Sequence, residues 1–588
     1  MKNLRVLRHL ILAAALATCR SAVAGDVRLA HAEAQYADWL DATSAVATID
    51  SGLTTRIVGR DRQGWEKRRR ALTAALESEL EQIDESALGA EDARALRAMR
   101  KGLVSNALDA SETSPGTCAD RNHSGATNGT IDTAATGVTA SGGASVTTSV
   151  TASGTASGSA SGTASGSGSG SGSGDPTALQ VALYACFEEI GNRIPFEGQP
   201  VVRTTALQWL QELDDGERRK RLFFAFAPLW SAVNAENRED SPYRRMIVLS
   251  AAEMRRDGSS PIDDAAATLG MSTAQIEQWL RDILAAWRVR LQGPAVEPWD
   301  YWYAAASAAR GLAPAIPREA VLPLSERFYR DLGADLQQLG VRHDLDVRAG
   351  KAPLAYTDII RIGRRIGTHW RPAIPRVSAN YEQGGLFVLN ELIHEDGHAV
   401  HEAALRTRPA FYSLGGDLFD EAFADVPAWS SLEPAWQRKY LGRSATTAAS
   451  LRELYSNVML DVAWGLFELT MLKDPTADPN GVWTEITSHY LNIVPHPELS
   501  WWALRVQLVR WPGYMINYGL GAVLTADIRQ RIGEAIGPFD AGNPRWYAWT
   551  SMHLLRFGAS LDTAALLRQF LGRPVSTDAL INQLRRLD

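Results

Sequence analysis

The chain of 588 residues has little cysteine, no excess of basic charge and few patterns typical of β-strands. It contains three cysteines, and its formal net charge is −7 at pH 7. A mildly acidic protein lacks the basic surface that nucleic acids require, so we expect no nucleic-acid partner. After residue 24, no stretch reaches the roughly 18 apolar residues of a membrane span, which predicts the absence of a transmembrane helix.

Residues 1–24 have the pattern of a secretory signal peptide. Basic residues within the first eight positions precede an apolar run from Leu10 to Ala17, and small residues at 22–24 form a cleavage pattern. Removal of residues 1–24 takes away four basic residues and no acidic one, so the net charge becomes −11. We therefore predict export to a bacterial periplasm or to the medium. The alternative is a lipoprotein anchored at Cys19, which the preceding threonine disfavours.

A low-complexity tract divides the chain. Residues 133–174 consist almost entirely of Thr, Ala, Ser and Gly, which cannot bury apolar surface, so we predict a disordered insertion over 113–175. Cys118 and Cys186 flank this tract. A disulfide between them would join its ends and stabilise the fold by about 4 kcal/mol through loop-closure entropy. The alternative is a pair of unpaired thiols.

The most informative motif is His394-Glu395-Asp396-Gly397-His398. The surrounding segment 386–405 has no proline and carries apolar residues at helical spacing, which predicts a helix with both histidines on one face. Two imidazoles one turn apart are typical zinc ligands, and the carboxylate of Glu395 beside them is a candidate general base. The alternative is two ordinary helix histidines without a metal.

A second acidic segment supports the metal site. Residues 418–427 predict a short helix, ended at its proline, with acids one turn apart at Glu421 and Asp425. Glu421 lies 23 positions after His398, which allows the chain to return and supply a third zinc ligand. Asp425 is then placed to accept the second ring proton of a zinc-bound histidine. An ordinary acidic helix face is the competing interpretation.

These residues resemble two families of zinc peptidases. Residues 394–401 resemble the His-Glu-Phe-Gly-His-Ala-Leu-His segment of the thimet oligopeptidase family, and residues 419–425 resemble the Phe-His-Glu-Ala-Ile-Gly-Asp segment of the angiotensin-converting enzyme family. The resemblance implies a mainly α, elongated helical fold with a deep substrate channel, a small β element beside the zinc helix, and one zinc per chain. It also implies short peptides as substrates, because such a channel excludes folded proteins.

The resemblance implies a domain organisation. It covers a catalytic core of about residues 350–588 within a helical body of residues 176–588, while residues 25–112 are expected to pack onto that body as a helical lid. Residues 374–381 are similar to the peptide-binding strand of such enzymes. This implies substrate contacts for residues at the end of that segment: Ser378, Ala379, Asn380 and Tyr381.

Residues 510–519 are similar to the tyrosine loop of the oligopeptidases. The similarity implies that Tyr514, and less directly Tyr518, donates a hydrogen bond to the oxyanion that develops during hydrolysis. A buried tyrosine with a purely structural role is the alternative for each. His401 lies on the stripe of His394 and His398, where we expect it to support a ligand or to line the pocket.

Two positions depart from the pattern of these families. Asp396 stands where relatives carry an apolar residue, and we expect it to affect packing more than metal binding. Val509 replaces a histidine of the oligopeptidase loop, and His496 is the candidate substitute.

Three functions are compatible with these patterns. The first is an exported, monomeric zinc peptidase, an oligopeptidase or peptidyl dipeptidase, that hydrolyses short peptides with zinc-activated water and Glu395 as the base. The second is a carboxypeptidase of the same fold, which requires a basic residue such as Arg505 or Arg510 near the site. The third is a non-catalytic protein that binds zinc or peptides, which the intact Glu395 disfavours.

Overall fold

The computed structural model describes residues 27–53, 56–110, 176–348, 351 and 354–587. The predicted signal peptide, Cys19, Cys118 and the predicted insertion lie outside the described residues. In the described part of the chain, no helix is long and apolar enough to cross a membrane.

Helices make up most of the described amino-terminal half. They are α1 (27–50), α2 (Arg62–Glu81), α3 (Ala90–Ala110), α4 (Pro176–Gly191), α5 (Arg203–Glu212), α6 (Gly216–Phe224), α7 (Ala227–Asn234), α8 (Pro242–Asp257), α9 (Asp263–Leu269), α10 (Thr273–Arg288), α11 (Tyr301–Ala305), α12 (Ser307–Leu312) and α13 (Arg318–Asp331). Helix α6 begins as a separate helix because Asp215 caps it, accepting from the backbone N–H groups of Glu217 and Arg218.

The carboxy-terminal half contains the longest helices. They are α14 (Leu386–Ala404), α15 (Asp417–Ala428), α16 (Pro434–Leu441), α17 (Thr447–Lys473), α18 (Pro479–Leu491), α19 (Gln507–Arg510), α20 (Met515–Ile536), α21 (Trp546–His553), α22 (Thr563–Leu571) and α23 (Asp578–Leu584). The prediction that the second acidic helix ends at its proline is wrong by one residue. Pro427 lies inside the last turn of α15, which continues to Ala428.

Three small sheets occur among the described residues. Their strands are β1 (Ile194–Phe196), β2 (Gln199–Val201), β3 (Arg342–Asp344), β4 (Tyr356–Arg361), β5 (Arg364–Ile366), β6 (His369–Arg371) and β7 (Ile374–Ser378). The three-stranded sheet has the order β3-β7-β4, with β3 parallel to β7 and β4 antiparallel to it. This sheet packs against α14 through β4 and β7, so a small β element lies beside the helix that carries the histidine motif.

One large apolar core extends from α4 to α23, and a smaller core joins α1, α2 and α3 to Phe411. Ion pairs also join the amino-terminal helices to the rest of the chain. Arg408 lies 2.9 Å from Glu33 and 2.7 Å from Asp92, and Arg371 lies 2.6 Å from Asp41. The amino-terminal helices are therefore attached to the segments on both sides of α14. Their expected role as a lid stays a prediction.

Candidate metal centre

Helix α14 carries the histidines of the motif, and α15 carries the acidic residues that contact them. Asp420, near the start of α15, contacts His398, whereas Asp425, one turn later, contacts His394. This reversed order means that the two helices run antiparallel. Gly415 and Gly416, with φ of 90° and 107°, make the turn that leads into α15. These backbone angles are readily accessible only to glycine.

The two helices approach closely at Gly397. A Cβ atom added to this glycine would lie 2.8 Å from Cα of Ala424 and 2.9 Å from its carbonyl oxygen. Only glycine permits this distance without movement of the backbone. The glycine between Glu395 and His398 therefore sets how near the carboxylates of α15 come to the histidines.

The three predicted ligands converge. The Nε2 atoms of His394 and His398 are 3.2 Å apart, and Oε2 of Glu421 lies 3.3 Å from the first and 3.8 Å from the second. All three donor atoms lie within 4.8 Å of one another, the only such group of three or more His, Cys, Asp or Glu side chains found among the described residues. Oε2 of Glu421 is buried without a hydrogen-bond partner.

This donor set fits a zinc ion. Two imidazole nitrogens and one carboxylate oxygen are the ligands of many catalytic zinc sites, which leave a fourth position open. A cation at this point would also satisfy the buried carboxylate oxygen of Glu421, whose isolation is otherwise costly.

Carboxylates on α15 orient both histidines. Nδ1 of His394 lies 2.8 Å from Oδ1 of Asp425, as predicted, and Nδ1 of His398 lies 2.8 Å from Oδ1 of Asp420. Each carboxylate accepts a hydrogen bond from the Nδ1–H group, which keeps Nε2 unprotonated and directed toward the centre. The role of Asp420 was missed. Its position directly before Glu421 was the available signal, since adjacent positions on a helix can reach two histidines one turn apart.

Glu395 is not part of the converging donor set. Its Oε2 accepts a hydrogen bond of 2.7 Å from the hydroxyl of Thr357 on β4. Burial raises the pKa of Glu395, and the neighbouring histidines and the Thr357 hydroxyl act against that rise. The contact with Thr357 was not predicted, because it depends on the pairing of β4 with β7 and on the packing of both against α14.

The two predicted tyrosines lie beside Glu421. The Tyr514 hydroxyl donates a hydrogen bond of 2.7 Å to Oε1 of Glu421, and the ring of Tyr518 is 5.7 Å from that of Tyr514. Burial raises the pKa of both phenols well above the ordinary value, and the negative charge of Glu421 adds to the effect. Both hydroxyls are therefore protonated donors at neutral pH.

Two arginines lie near each other, and one of them contacts the ring of Tyr518. The guanidinium of Arg505 is 5.2 Å from the ring centre of Tyr518, and it pairs with Asp461. Arg203 is buried, and its NH1 donates to the carbonyl of Leu504 at 3.3 Å. In both arginines Nε is buried without a hydrogen-bond partner. Burial lowers the pKa of Arg203 to about 10, with a further contribution from the charge of Arg505.

The segment expected to bind substrate is buried and largely occupied by protein contacts. β7 pairs with β3 on one side and with β4 on the other, so Ser378 has no free strand edge to offer a peptide. The carbonyl of Ala379 accepts from Lys351 at 2.6 Å. Asn380 and Tyr381, by contrast, line a small pocket with Glu391, although both side chains are buried. The edge strand that contacts Glu395 is β4, through Thr357.

The remaining predicted residues have mostly structural contacts. His401 is buried between the rings of Phe419 and Phe423, with Nδ1 3.6 Å from Asp420, so it touches no predicted ligand. Asp396 faces away from the centre, as expected, and accepts from Ser325 at 2.6 Å and from His343 at 2.7 Å.

His496 and Cys186 also have defined partners in the structure. His496 is not a substitute for the loop histidine, because its ring nitrogens contact Glu297 and Glu498 and its ring packs near Trp299. Cys186 is disulfide-bonded. Its partner cysteine lies outside the described residues, so the predicted pairing with Cys118 stays a prediction.

No protein-family model and no curated protein matches this sequence. Among solved structures, the chain is similar to Trypanosoma cruzi metallocarboxypeptidase 1, with 13% identity and a TM-score of 0.50 over 95% of this chain and 99% of the other. It is also similar to an M32 carboxypeptidase from Deinococcus radiodurans R1, with 14% identity and a TM-score of 0.53 over 95% and 98% of the two chains.

At this level of identity the similarity shows the fold. The predicted elongated, mainly helical peptidase fold with a small β element is confirmed. The finer resemblance to the thimet oligopeptidase and angiotensin-converting enzyme families stays a prediction, because the two structures named here are of carboxypeptidases.

Proposed function

We propose that this chain is a zinc-dependent peptidase that acts on short peptides. The observation that carries the proposal is the convergence of His394, His398 and Glu421, with Glu395 beside them but outside the donor set. A protein that only stores zinc would have no use for a free carboxylate held at this position by Thr357. When bound, zinc supplies a Lewis acid that polarises water and the peptide carbonyl.

The residues of the chain supply the proton transfers and the charge stabilisation. Glu395 accepts a proton from the attacking water and returns it to the amine that leaves. The Tyr514 hydroxyl, once it turns from Glu421 to substrate, donates a hydrogen bond to the developing oxyanion. Asp420 and Asp425 keep the two imidazoles in the tautomer that directs Nε2 to the centre.

We further propose that the enzyme is a carboxypeptidase. Arg203 and Arg505 place two guanidinium groups near each other, that of Arg505 at the ring of Tyr518, and each has an unpartnered buried Nε. A carboxylate that entered there would satisfy these donors and balance the charge of Arg203, whereas Arg505 already pairs with Asp461. The two solved structures named above are of carboxypeptidases, which supports this choice over the oligopeptidase that the motifs favoured.

Peptides with free and with amidated carboxyl ends test the proposal. Products identified by mass spectrometry should be shortened by one residue at the carboxyl end, and amidation should lower kcat/KM by about a hundredfold, since a buried charged contact is lost. Arg505→Gln should reduce that discrimination to a few-fold. Arg510→Gln is the matched control, because Arg510 stacks on Tyr184 and Trp511 instead.

Each other outcome assigns another activity. Internal cleavage that ignores amidation indicates an oligopeptidase, and release of carboxy-terminal dipeptides indicates a peptidyl dipeptidase. An inactive protein with about one zinc indicates the binding protein.

We also propose that the enzyme is exported, with residues 1–24 removed. The signal-peptide pattern and the disulfide at Cys186 support this, because disulfides persist mainly outside the cytosol. Amino-terminal sequencing of the mature protein should begin at Gly25. A mature chain that begins with a lipidated Cys19 would instead indicate a membrane-anchored form.

A further inference from the structure

Tyr514 lies at the junction of two elements. It is the N-cap residue of α20, and its side chain makes no hydrogen bond to the first turn of that helix. N-cap side chains usually accept from these free N–H groups. Here the side chain is used elsewhere, since its hydroxyl donates to Glu421. The start of α20 therefore needs another acceptor.

Glu468 of α17 supplies that acceptor. Its side chain is fully buried, and Oε2 accepts from the backbone N–H of Met515 at 2.8 Å. The N–H groups of Gly513 and Ile516 also favour its ionised form. One carboxyl group thus faces the backbone on both sides of Tyr514. The positive end of the helix dipole reinforces this contact.

Close packing fixes the position of Glu468. A Cβ atom added to Gly465, one turn earlier on α17, would lie 3.2 Å from the carbonyl oxygen of Met515. One added to Gly519 would lie 3.3 Å from Cα of Val462. Helices α17 and α20 therefore touch backbone to backbone at two points in the turns of α17 that precede Glu468. This contact sets the position of the Glu468 carboxyl group relative to the start of α20.

No cation explains the burial of Glu468. In the described part of the chain it forms no ion pair with Lys, Arg or His, and the titratable group that faces it is the phenol of Tyr243 on α8. Burial raises its pKa to about 8, against the effect of the backbone N–H groups. A buried acid without a counter-ion is costly, so its contacts with the backbone are its evident purpose.

We propose that Glu468 is a positioning residue for catalysis, which fixes the backbone that carries Tyr514 by capping α20 from the neighbouring helix. This inference rests on the proposed function, in which Tyr514 turns from Glu421 to stabilise the oxyanion. The contacts of Glu468 are with the backbone around Tyr514 and not with the three candidate ligands, so it acts through the Tyr514 segment.

Helix α17 also provides a matched control. Glu453 is buried on the same helix and accepts from the backbone N–H of Ala309 at 2.8 Å. Burial raises its pKa to about 7. Glu453 therefore accepts from a backbone N–H group near the start of α12, as Glu468 does for α20. It makes no described contact with the Tyr514 segment.

The test compares Glu468→Ala, Glu468→Gln and Glu453→Ala in the zinc-loaded full chain. Glu468→Ala should lower kcat at least about tenfold with little change in KM, which is the pattern for loss of a transition-state interaction. Glu468→Gln keeps a carbonyl acceptor for Met515 and should stay within about threefold of wild type, as should Glu453→Ala. In the Tyr514→Phe background, Glu468→Ala should change kcat less than about twofold, because coupled residues are not additive.

Amide hydrogen exchange over residues 511–520 gives a readout that does not depend on activity. Exchange of this segment should accelerate in Glu468→Ala and remain as in wild type in Glu468→Gln. An equal loss of kcat in the presence and absence of the Tyr514 hydroxyl, or unchanged exchange in Glu468→Ala, overturns the inference. If wild type cleaves no peptide, the proposed function fails, whereas the exchange data still show whether Glu468 holds the segment.

Discussion

The α14–α15 pair and the Tyr514 segment both contribute to the candidate site, yet they are encoded in different ways. In the helix pair, each histidine, its orienting carboxylate and the third ligand come from two stretches that are each less than 20 residues long. Tyr514 instead depends on Glu468 for its position and on Glu421 for its partner. The metal centre is thus specified locally, and the oxyanion donor is specified by distant packing.

The largest effect is expected from removal of a metal ligand, because this destroys the locally specified metal centre. His394→Ala or His398→Ala should lower zinc content from about one per chain to nearly none, since each removes one of three protein ligands. Peptide hydrolysis should fall by about 10⁴-fold or more. Metal analysis and an activity assay check this. His489→Ala on the surface of α18 is the control, and full zinc retention in both ligand variants would refute the assignment.

Loss of the Tyr514 hydroxyl should impair the oxyanion donor and leave the metal centre intact. Tyr514→Phe should lower kcat by about a hundredfold, because an oxyanion donor acts mainly in the transition state. Steady-state kinetics and metal analysis check this, and Tyr518→Phe serves as the comparison. An effect confined to KM would make Tyr514 a residue of the binding pocket.

The orienting carboxylates sharpen the comparison because they belong to the local part but touch no metal. Asp420→Ala and Asp425→Ala should each weaken zinc binding by about 10- to 100-fold and leave the fold intact. Competition with a chelator of known affinity measures this. If either variant binds zinc as wild type does, the corresponding histidine is oriented by other contacts.

The smallest effect concerns the pH dependence of stability. The pKa of Glu468 is raised to about 8, so the folded state binds this proton more tightly than the unfolded state. The contribution of Glu468 to the free energy of unfolding is therefore fully present below about pH 4.5 and is lost as the pH rises through about 8. Glu468→Gln should gain in melting temperature relative to wild type by a few degrees across this range. A difference that stays constant with pH contradicts the assignment.

The sequence allowed prediction of the residues that repeat at helical spacing. His394, His398, Glu421 and Asp425 lie on two helices whose apolar faces and turn glycines are visible in the sequence, and the structure brings them together. Strand β7 was expected from the similarity of residues 374–381 to a peptide-binding strand, but its pairing on both sides was not. That pairing removes the free edge expected at Ser378.

Other contacts have no local signal. Thr357 reaches Glu395 only because β4 pairs with β7 beside α14, and Glu468 reaches Met515 only because α17 and α20 are in backbone contact. Arg203 lies near Arg505 because its NH1 group donates to the carbonyl of Leu504, which is 301 positions away in the sequence. Such contacts depend on the whole fold, so a single sequence predicts the residue types but not the partners.

The central claim is that Glu395 performs chemistry at a metal that other residues hold. Zinc content and peptide hydrolysis should therefore be measured on the same preparation of Glu395→Gln. We predict about one zinc per chain together with a loss of turnover of about 10³- to 10⁴-fold, since the variant keeps the ligands and loses the base. Turnover within a few-fold of wild type, or loss of the metal, would contradict the account.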